Sequence, residues 1–407
     1  MILYYADNID RAKFWIAISW LLKDSYDSVF YTNEFNVFLY LKGQGKKVKL
    51  IRDVGKKDKI NCLESETVRN NYEYISGDLT YQGALSLYRK SYDFFINENL
   101  EKFTYAFIWN GESLISKAIV ASFNDLMLSV KFRFFEISNL PGKIFVDFQG
   151  TNGKSAYYDN FHAVNELLYD ERVNDDYDSW LKGYVLNVGL PKQVKKKGVL
   201  PFIKTTLNEG IKHFGYLFLS IPKRSNNGFL KTVFNSYIFN FRKNVNYKID
   251  SFKLEDDCKN IKYFIPFQVS NDTQLLVNSN MDNMDLLKCV IAEAEKSKAK
   301  IIAKIHPAEE NVDKVDQLIT YGEKHGVVFM NNTDSNSIIS NVDKVFTINS
   351  TVGLQSKILG KEVEVFGNAL YKNFSQRDLK VFITRFLINI DYFEPESIKL
   401  DQVKRLL

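Results

Sequence analysis

Four polar clusters in this chain carry the residue types that chemistry uses, each placed where a strand-like run ends. In FFEISNLPGKIFVDFQGTNGKS, Glu136 follows Phe134 and Phe135 ahead of a Pro-Gly turn, and Asp147, Gly150, Asn152 and Ser155 come after it. A carboxylate leaving such apolar surroundings has its pKa raised and can serve as an acid or base. A turn carboxylate capping local N–H groups fits the same residues. In PFQVSNDTQ, Gln268 and Asp272 follow the next such run. Asp272 suits a nucleophile or base, and Asn-Asp-Thr is equally ordinary turn chemistry. In KIIAKIHP, Lys304 and His306 end a strand whose exit Pro307 fixes. A cation and an imidazole at such an edge suit a phosphate or carboxylate, or the histidine simply caps the turn. In VFTINSTVGLQSKILGKEVEVFG, the helix-capping types Asn349, Ser350 and Thr351 precede Val352, Leu354, Ile358 and Leu359 at helical spacing, stopped by Gly360. A helix N-terminus there favours an anion, although many such turns hold none.

The elements that must position these residues alternate between strand and helix. Strands are expected at Ile2–Tyr5, Ser28–Tyr31, Lys47–Ile51, Tyr105–Gly111 and Lys131–Glu136, with helices at Asp10–Leu22, Asn36–Gly43 and Glu112–Asn124. The pattern returns after Asp250, with strands at Tyr263–Val269, Lys300–Pro307, Gly326–Asn331 and Val345–Ile348. Helices are expected there at Met284–Ser297, Val312–His325 and Ser335–Asn341. Such alternation predicts parallel sheets with helices on both faces, whose ligand crevice lies at the strands' C-terminal ends. The expected domains are 1–255, with an insertion at about 156–250, and 256–407. The insertion is helical and acidic over Tyr157–Trp180. It then turns basic and aromatic over Lys192–Lys248, where Glu209 is the one acid. That segment reads either as a solvated basic face or as a surface for anionic lipid or a polyanionic acceptor.

Composition excludes several classes. At 407 residues, with 45% hydrophobic and 25% charged residues, the chain is an ordinary globular protein long enough for two domains. A net charge of +5 is too small for a general nucleic-acid binder. The 3 cysteines and 4 histidines are scattered without metal spacing. A reducing compartment fits them, and no signal-peptide pattern or bilayer-length apolar run stands out. The expectation is a cytoplasmic protein, with peripheral contact at the inner membrane face and no nucleic-acid partner.

Taken in order, W-N-G, F-E-x-x-x-L-P, D-x-x-G-x-N, F-Q-V-x-x-D-x-Q, K-x-H-P and N-S-T-V-G-L-Q ending in G-K-x-V resemble the bacterial capsule polysaccharide biosynthesis family. Its members include retaining 3-deoxy-manno-octulosonic acid (Kdo) transferases. The likeness covers residues 105–155 and 260–371. It implies a GT-B-like α/β architecture, two Rossmann-like domains facing a cleft; the basic aromatic helical insertion in the middle of the chain has no counterpart in that likeness. It further implies a CMP-activated ulosonic acid as donor substrate, no metal or other cofactor, and a glycan or glycolipid acceptor. Residue by residue, Asp272 matches the proposed nucleophile and Glu136 the proposed acid/base. The donor set comprises Gln268, Lys304, His306, Pro307, Asn349, Ser350, Thr351 and Gln355, the last standing where the family often has Glu. Gly150 and Asn152 are the candidates for acceptor or sugar contact. Two alternatives accompany this reading: a donor of sialic or pseudaminic type, and a non-catalytic capsule biosynthesis or export scaffold.

Overall fold

The computed structural model describes residues 1–55, 62–138, 140–187, 199–226, 228, 261–309 and 311–407. Residues 192–198, 227 and 229–248 of the basic segment Lys192–Lys248 therefore lie outside the described residues. The chain divides into two compact units, one of Met1–Asp159, Lys196–Asn240 and Phe382–Leu407, the other of Asn160–Lys195 and Phe241–Val381. In place of a single break at 255, the chain crosses between units several times, and its last residues rejoin the first.

The first unit holds β1 (Ile2–Tyr5), β2 (Ser28–Thr32), β3 (Val48–Leu50), β4 (Tyr105–Trp109), β5 (Lys131–Ile137) and β6 (Ile144–Asp147). Its helices begin with α1 (Ile9–Leu21), α2 (Phe35–Gly43), α3 (Cys62–Arg69), α4 (Tyr72–Ile75), α5 (Tyr81–Ile96) and α6 (Leu114–Asp125). The sheet order is β3-β2-β1-β4-β5-β6, parallel except for β6. Strands buried on both faces read as continuous apolar runs, and here successive residues feed opposite cores. Leu3, Tyr5, Val29, Tyr31, Ala106 and Ile108 pack with α5 and α6 on one side. Ile2, Tyr4, Phe30, Tyr105 and Phe107 pack on the other with Phe14 and Trp15 of α1. The order reverses between β1 and β4, a switch point of the Rossmann type.

The second unit takes α7 (Phe161–Leu168) and α8 (Val173–Asn187), after which α9 (Val199–Phe218) belongs to the first. Its sheet comprises β7 (Lys262–Pro266), β8 (Lys300–Lys304), β9 (Val328–Phe329), β10 (Lys344–Thr347) and β11 (Glu362–Val365), in the order β11-β10-β7-β8-β9 and parallel throughout. The helices are α10 (Thr273–Asn278), α11 (Asn283–Ser297), α12 (Val312–Lys324), α13 (Ser335–Ser340), α14 (Thr351–Ile358), α15 (Gln376–Val381) and, back in the first unit, α16 (Leu400–Lys404). Tyr263 and Ile265 pack on one face of the sheet, Phe264 and Ile302 on the other. Here the switch point falls between β7 and β10. Both units are thus Rossmann-like, as the GT-B-like expectation requires.

Two local expectations change. Glu136 does not leave its strand for the Pro-Gly turn: it stands inside β5, opposite Phe145 of β6, because the chain turns back as an antiparallel hairpin. The helix α5 falls in a stretch for which no element was expected. Among the described residues no helix is long and apolar enough to cross a membrane. On α9, Leu207, Phe214, Leu217 and Phe218 are exposed on their surface sides.

Candidate active site

In the second unit, the residues after β7 and β10 are clasped together across the switch point. The Gln268 side-chain amide donates to Asn349 Oδ1 at 2.8 Å, and its Oε1 accepts the Asn349 backbone N–H at 3.0 Å. Asn349 Nδ2 donates in turn to the Gln274 carbonyl at 2.8 Å. Gln268 is itself held by Asn283, whose Nδ2 donates to its carbonyl at 2.7 Å and whose Oδ1 accepts its N–H at 3.2 Å. The polar side chains buried here, Gln268, Asn283 and Asn349, are satisfied by one another, which fixes the two strand ends rigidly.

The turn that opens α14 is built around a close contact. Ser350 caps the helix, its hydroxyl accepting the Val352 N–H at 3.2 Å, while its own N–H donates to Thr347 Oγ1 at 3.2 Å. Its carbonyl is taken by the Tyr371 hydroxyl. A Cβ on Gly353 would stand 2.5 Å from that hydroxyl and 2.7 Å from the Thr347 methyl. Gly353→Ala is therefore expected to cost about 1–3 kcal/mol by overpacking. Denaturant unfolding checks this, and a stability equal to wild type would mean that the turn gives way without cost. Thr351 and Gln355 lie on α14, half-buried.

Asp272 and His306 are electrostatic neighbours. Asp272 caps α10, with Oδ1 accepting the Gln274 N–H at 2.7 Å. His306 Nδ1 accepts the Ala308 N–H at 3.1 Å, so the neutral ring carries its proton on Nε2. Burial pushes the imidazole below its ordinary value, against the opposing pull of Asp272 and Glu309. A folded-state pKa below the unfolded value means that this ring favours folding above the unfolded pKa, and the contribution is lost as pH falls through the folded one. An NMR titration of His306 is expected to show its midpoint below 6.5; a midpoint above it would mean that the two carboxylates outweigh burial. His306 thus offers a neutral N–H donor. Lys304 turns its ammonium to the carbonyls of Asn331, at 3.2 Å, and Thr333. Pro307 sits in the turn closed by the Glu309 N–H donating to the His306 carbonyl at 3.0 Å.

Sequence reasoning missed Glu309, Asn283 and Tyr371. Glu309 Oε2 accepts from both the N–H and the hydroxyl of Ser270 at 2.6 Å, tying the Asp272 loop to the His306 turn. The acid pair after His-Pro was a visible signal, but the partner lies 39 residues away.

In the first unit, Glu136 Oε2 accepts from Asn152 Nδ2 at 2.9 Å, and Asn152 takes a left-handed φ of 51°. Asp147 organises the same loop, accepting from the N–H groups of Gln149 at 2.7 Å and Gly150 at 3.3 Å and from the Ser155 hydroxyl at 2.6 Å. Glu136, Gly150 and Asn152 are thereby brought onto one hairpin and its following loop.

Over 112 residues the chain is 33% identical to protein FixF of Sinorhizobium fredii, a stretch covering 26% of this chain and 27% of that protein. Among solved structures it is similar to the β-Kdo 2,7 transferase of Thermosulfurimonas dismutans KpsC, with a TM-score of 0.43 and 13% identity over 100% of this chain and 98% of that one. The β-Kdo 2,4 transferase of the same KpsC gives a TM-score of 0.40 and 15% identity over 74% and 87%. Residues 223–376 match the model of the family described as capsule polysaccharide biosynthesis protein, the family that the motifs at these strand ends resemble.

Proposed function

We propose that the chain is a retaining glycosyltransferase that moves an ulosonic acid, Kdo foremost, from its CMP-activated donor to a capsule or other surface glycan or glycolipid. Asp272 attacks the anomeric carbon, the bond from that carbon to the phosphate oxygen breaks, and CMP leaves. The acceptor hydroxyl then attacks the glycosyl-enzyme, Glu136 takes its proton, and the Asp272 carboxylate is released. The two carboxylates belong to different units.

The observation that carries this reading is the clasp of Gln268 and Asn349 at the switch point, beside the capped N-terminus of α14. The positive end of the α14 dipole and the His306 Nε2–H favour the one phosphate of CMP. No metal is needed for that, and EDTA is expected to leave CMP release unchanged; inactivation restored by added divalent ion would count against it. The basic segment Lys192–Lys248, with the exposed apolar residues of α9 within it, is assigned to the acceptor's anionic membrane surface. Flotation with anionic vesicles that survives charge reversal of this segment would remove that assignment.

The test is CMP release from a donor panel: CMP-Kdo, CMP-sialic acid and a CMP-pseudaminic-type donor. Turnover of CMP-Kdo above the others is the expected result. Preference for another nonulosonic acid would keep the chemistry and change the sugar. No CMP binding and no release would leave the non-catalytic scaffold.

A further inference from the structure

The end of β4 in the first unit builds a second polar site, which Gly150 borders and whose charged residues no role above uses. Trp109 is followed by Asn110 at φ 37° and Gly111 at φ 79°, so the backbone turns sharply as it leaves the strand. A Cβ on Gly111 would stand 2.7 Å from the Phe134 ring, so the turn accepts no other residue without displacing that ring. A non-glycine residue held in this conformation is a cost that the surroundings must impose. They do so through Glu112: its N–H donates to Asn110 Oδ1 at 3.0 Å, and its carbonyl accepts from Asn71 Nδ2 at 2.7 Å. The turn thus presents one fixed, buried carboxylate, only 9% exposed.

Two ammonium groups converge on a single oxygen of it. Lys154 reaches Glu112 Oε2 at 2.6 Å and Lys117 reaches the same atom at 3.5 Å. Burial pushes the Lys117 ammonium below its ordinary value, though Glu112 opposes the shift. These three groups line a cavity of about 210 Å³ together with Asn124, Gln149 and the ring of Phe134. Two cations and one carboxylate line the cavity itself, a local excess of positive charge that favours an anion, although Glu73 beyond the lining also acts on Lys117. Side-chain amides and an aromatic ring add hydrogen-bonding groups and an apolar face. The cavity is smaller than the roughly 300 Å³ at which drug-sized ligands are usually held, and so suits a ligand the size of one sugar ring.

We infer that this cavity binds a carboxylate-bearing sugar unit of the acceptor, with Lys154 and Lys117 holding the carboxylate. The assignment to the acceptor rests on the transferase reading, whereas binding itself does not, and the experiment separates the two. The full chain, without donor, is titrated with methyl β-glucuronide and with its neutral counterpart methyl β-glucoside by saturation-transfer NMR, and with CMP by calorimetry. The charged glycoside is expected to bind about tenfold or more tightly than the neutral one, as a single added ion contact in a partly buried site allows. Lys154→Met, which keeps the apolar stem, and Lys117→Met should each erase that preference while CMP binding stays as in wild type. Equal binding of the two glycosides, binding of neither, or a preference that survives both substitutions would overturn the inference. If CMP still binds in those cases, the donor reading stands alone; if wild type binds the glucuronide and not CMP, the donor reading fails instead.

Discussion

Asp272→Asn is expected to lower turnover of the activated donor by at least about 10⁴-fold, the scale seen when a covalent nucleophile is removed. The choice of Asn isolates the chemistry. Asp272 is the N-cap of α10 through Oδ1, and Asn caps as well as Asp does, so the Gln274 N–H keeps its partner. Stability should therefore change by less than about 0.5 kcal/mol, the ordinary range for a change that removes no buried contact. Asp272→Ala would lose the cap too, at about 1 kcal/mol, and so mixes two effects. The pair of measurements is steady-state CMP release and denaturant unfolding. Full activity with Asn at this position would mean that another group attacks the sugar.

The largest effect on stability is expected from Arg224→Met in the first unit. The Arg224 guanidinium reaches Asp7 Oδ2 at 2.9 Å and lies 3.8 Å from Glu73 Oε1. Burial would raise the Asp7 carboxyl, but Arg11 and Arg224 together hold it down at about 2. Burial also raises Glu34 and Glu73, and Arg224 opposes the rise in both. Breaking a buried pair from one side costs about 3–5 kcal/mol when the partner is left alone, whereas Arg11 stays on Asp7 at 2.5 Å. With the guanidinium side chain 27% exposed, the lower end of that range is the expected loss. The pH dependence follows the same groups. A depressed folded-state pKa means that Asp7 stabilises the fold above its unfolded value near 3.8, and the contribution fades as pH falls through about 2. Urea denaturation of wild type and variant at neutral pH measures the loss, and a difference under about 1 kcal/mol would show that Arg224 behaves as a surface charge.

Arg224 also marks where sequence reasoning stops. In the sequence it is one of many cations between Lys192 and Lys248, and a basic run suggests a solvated face. Its partner Asp7 lies 217 residues away, so nothing local shows that it is paired. The ends of the strands were legible for the opposite reason. Doubly buried strands such as Tyr105–Trp109 and Lys344–Thr347 need unbroken β-branched and aromatic runs, and the polar residues that follow them stand out. That is why Gln268, Asp272, His306 and Asn349 could be picked out one by one. Their mutual contacts could not be: the Gln268–Asn349 clasp spans 81 residues, and it exists because β7 and β10 are neighbours in a sheet whose order reverses there. The β5–β6 hairpin was missed because SNLPG reads as the end of a strand, whereas the returning run Ile144–Asp147 pairs back and keeps Glu136 inside the sheet.

The most direct test is intact-protein mass spectrometry after brief incubation with CMP-Kdo, on wild type and Asp272→Asn. Covalent retention predicts a wild-type mass higher by one Kdo residue, discharged on adding acceptor and absent from the variant. CMP release without any adduct on wild type, undiminished by the substitution, would contradict Asp272 as the nucleophile and retention through a glycosyl-enzyme with it.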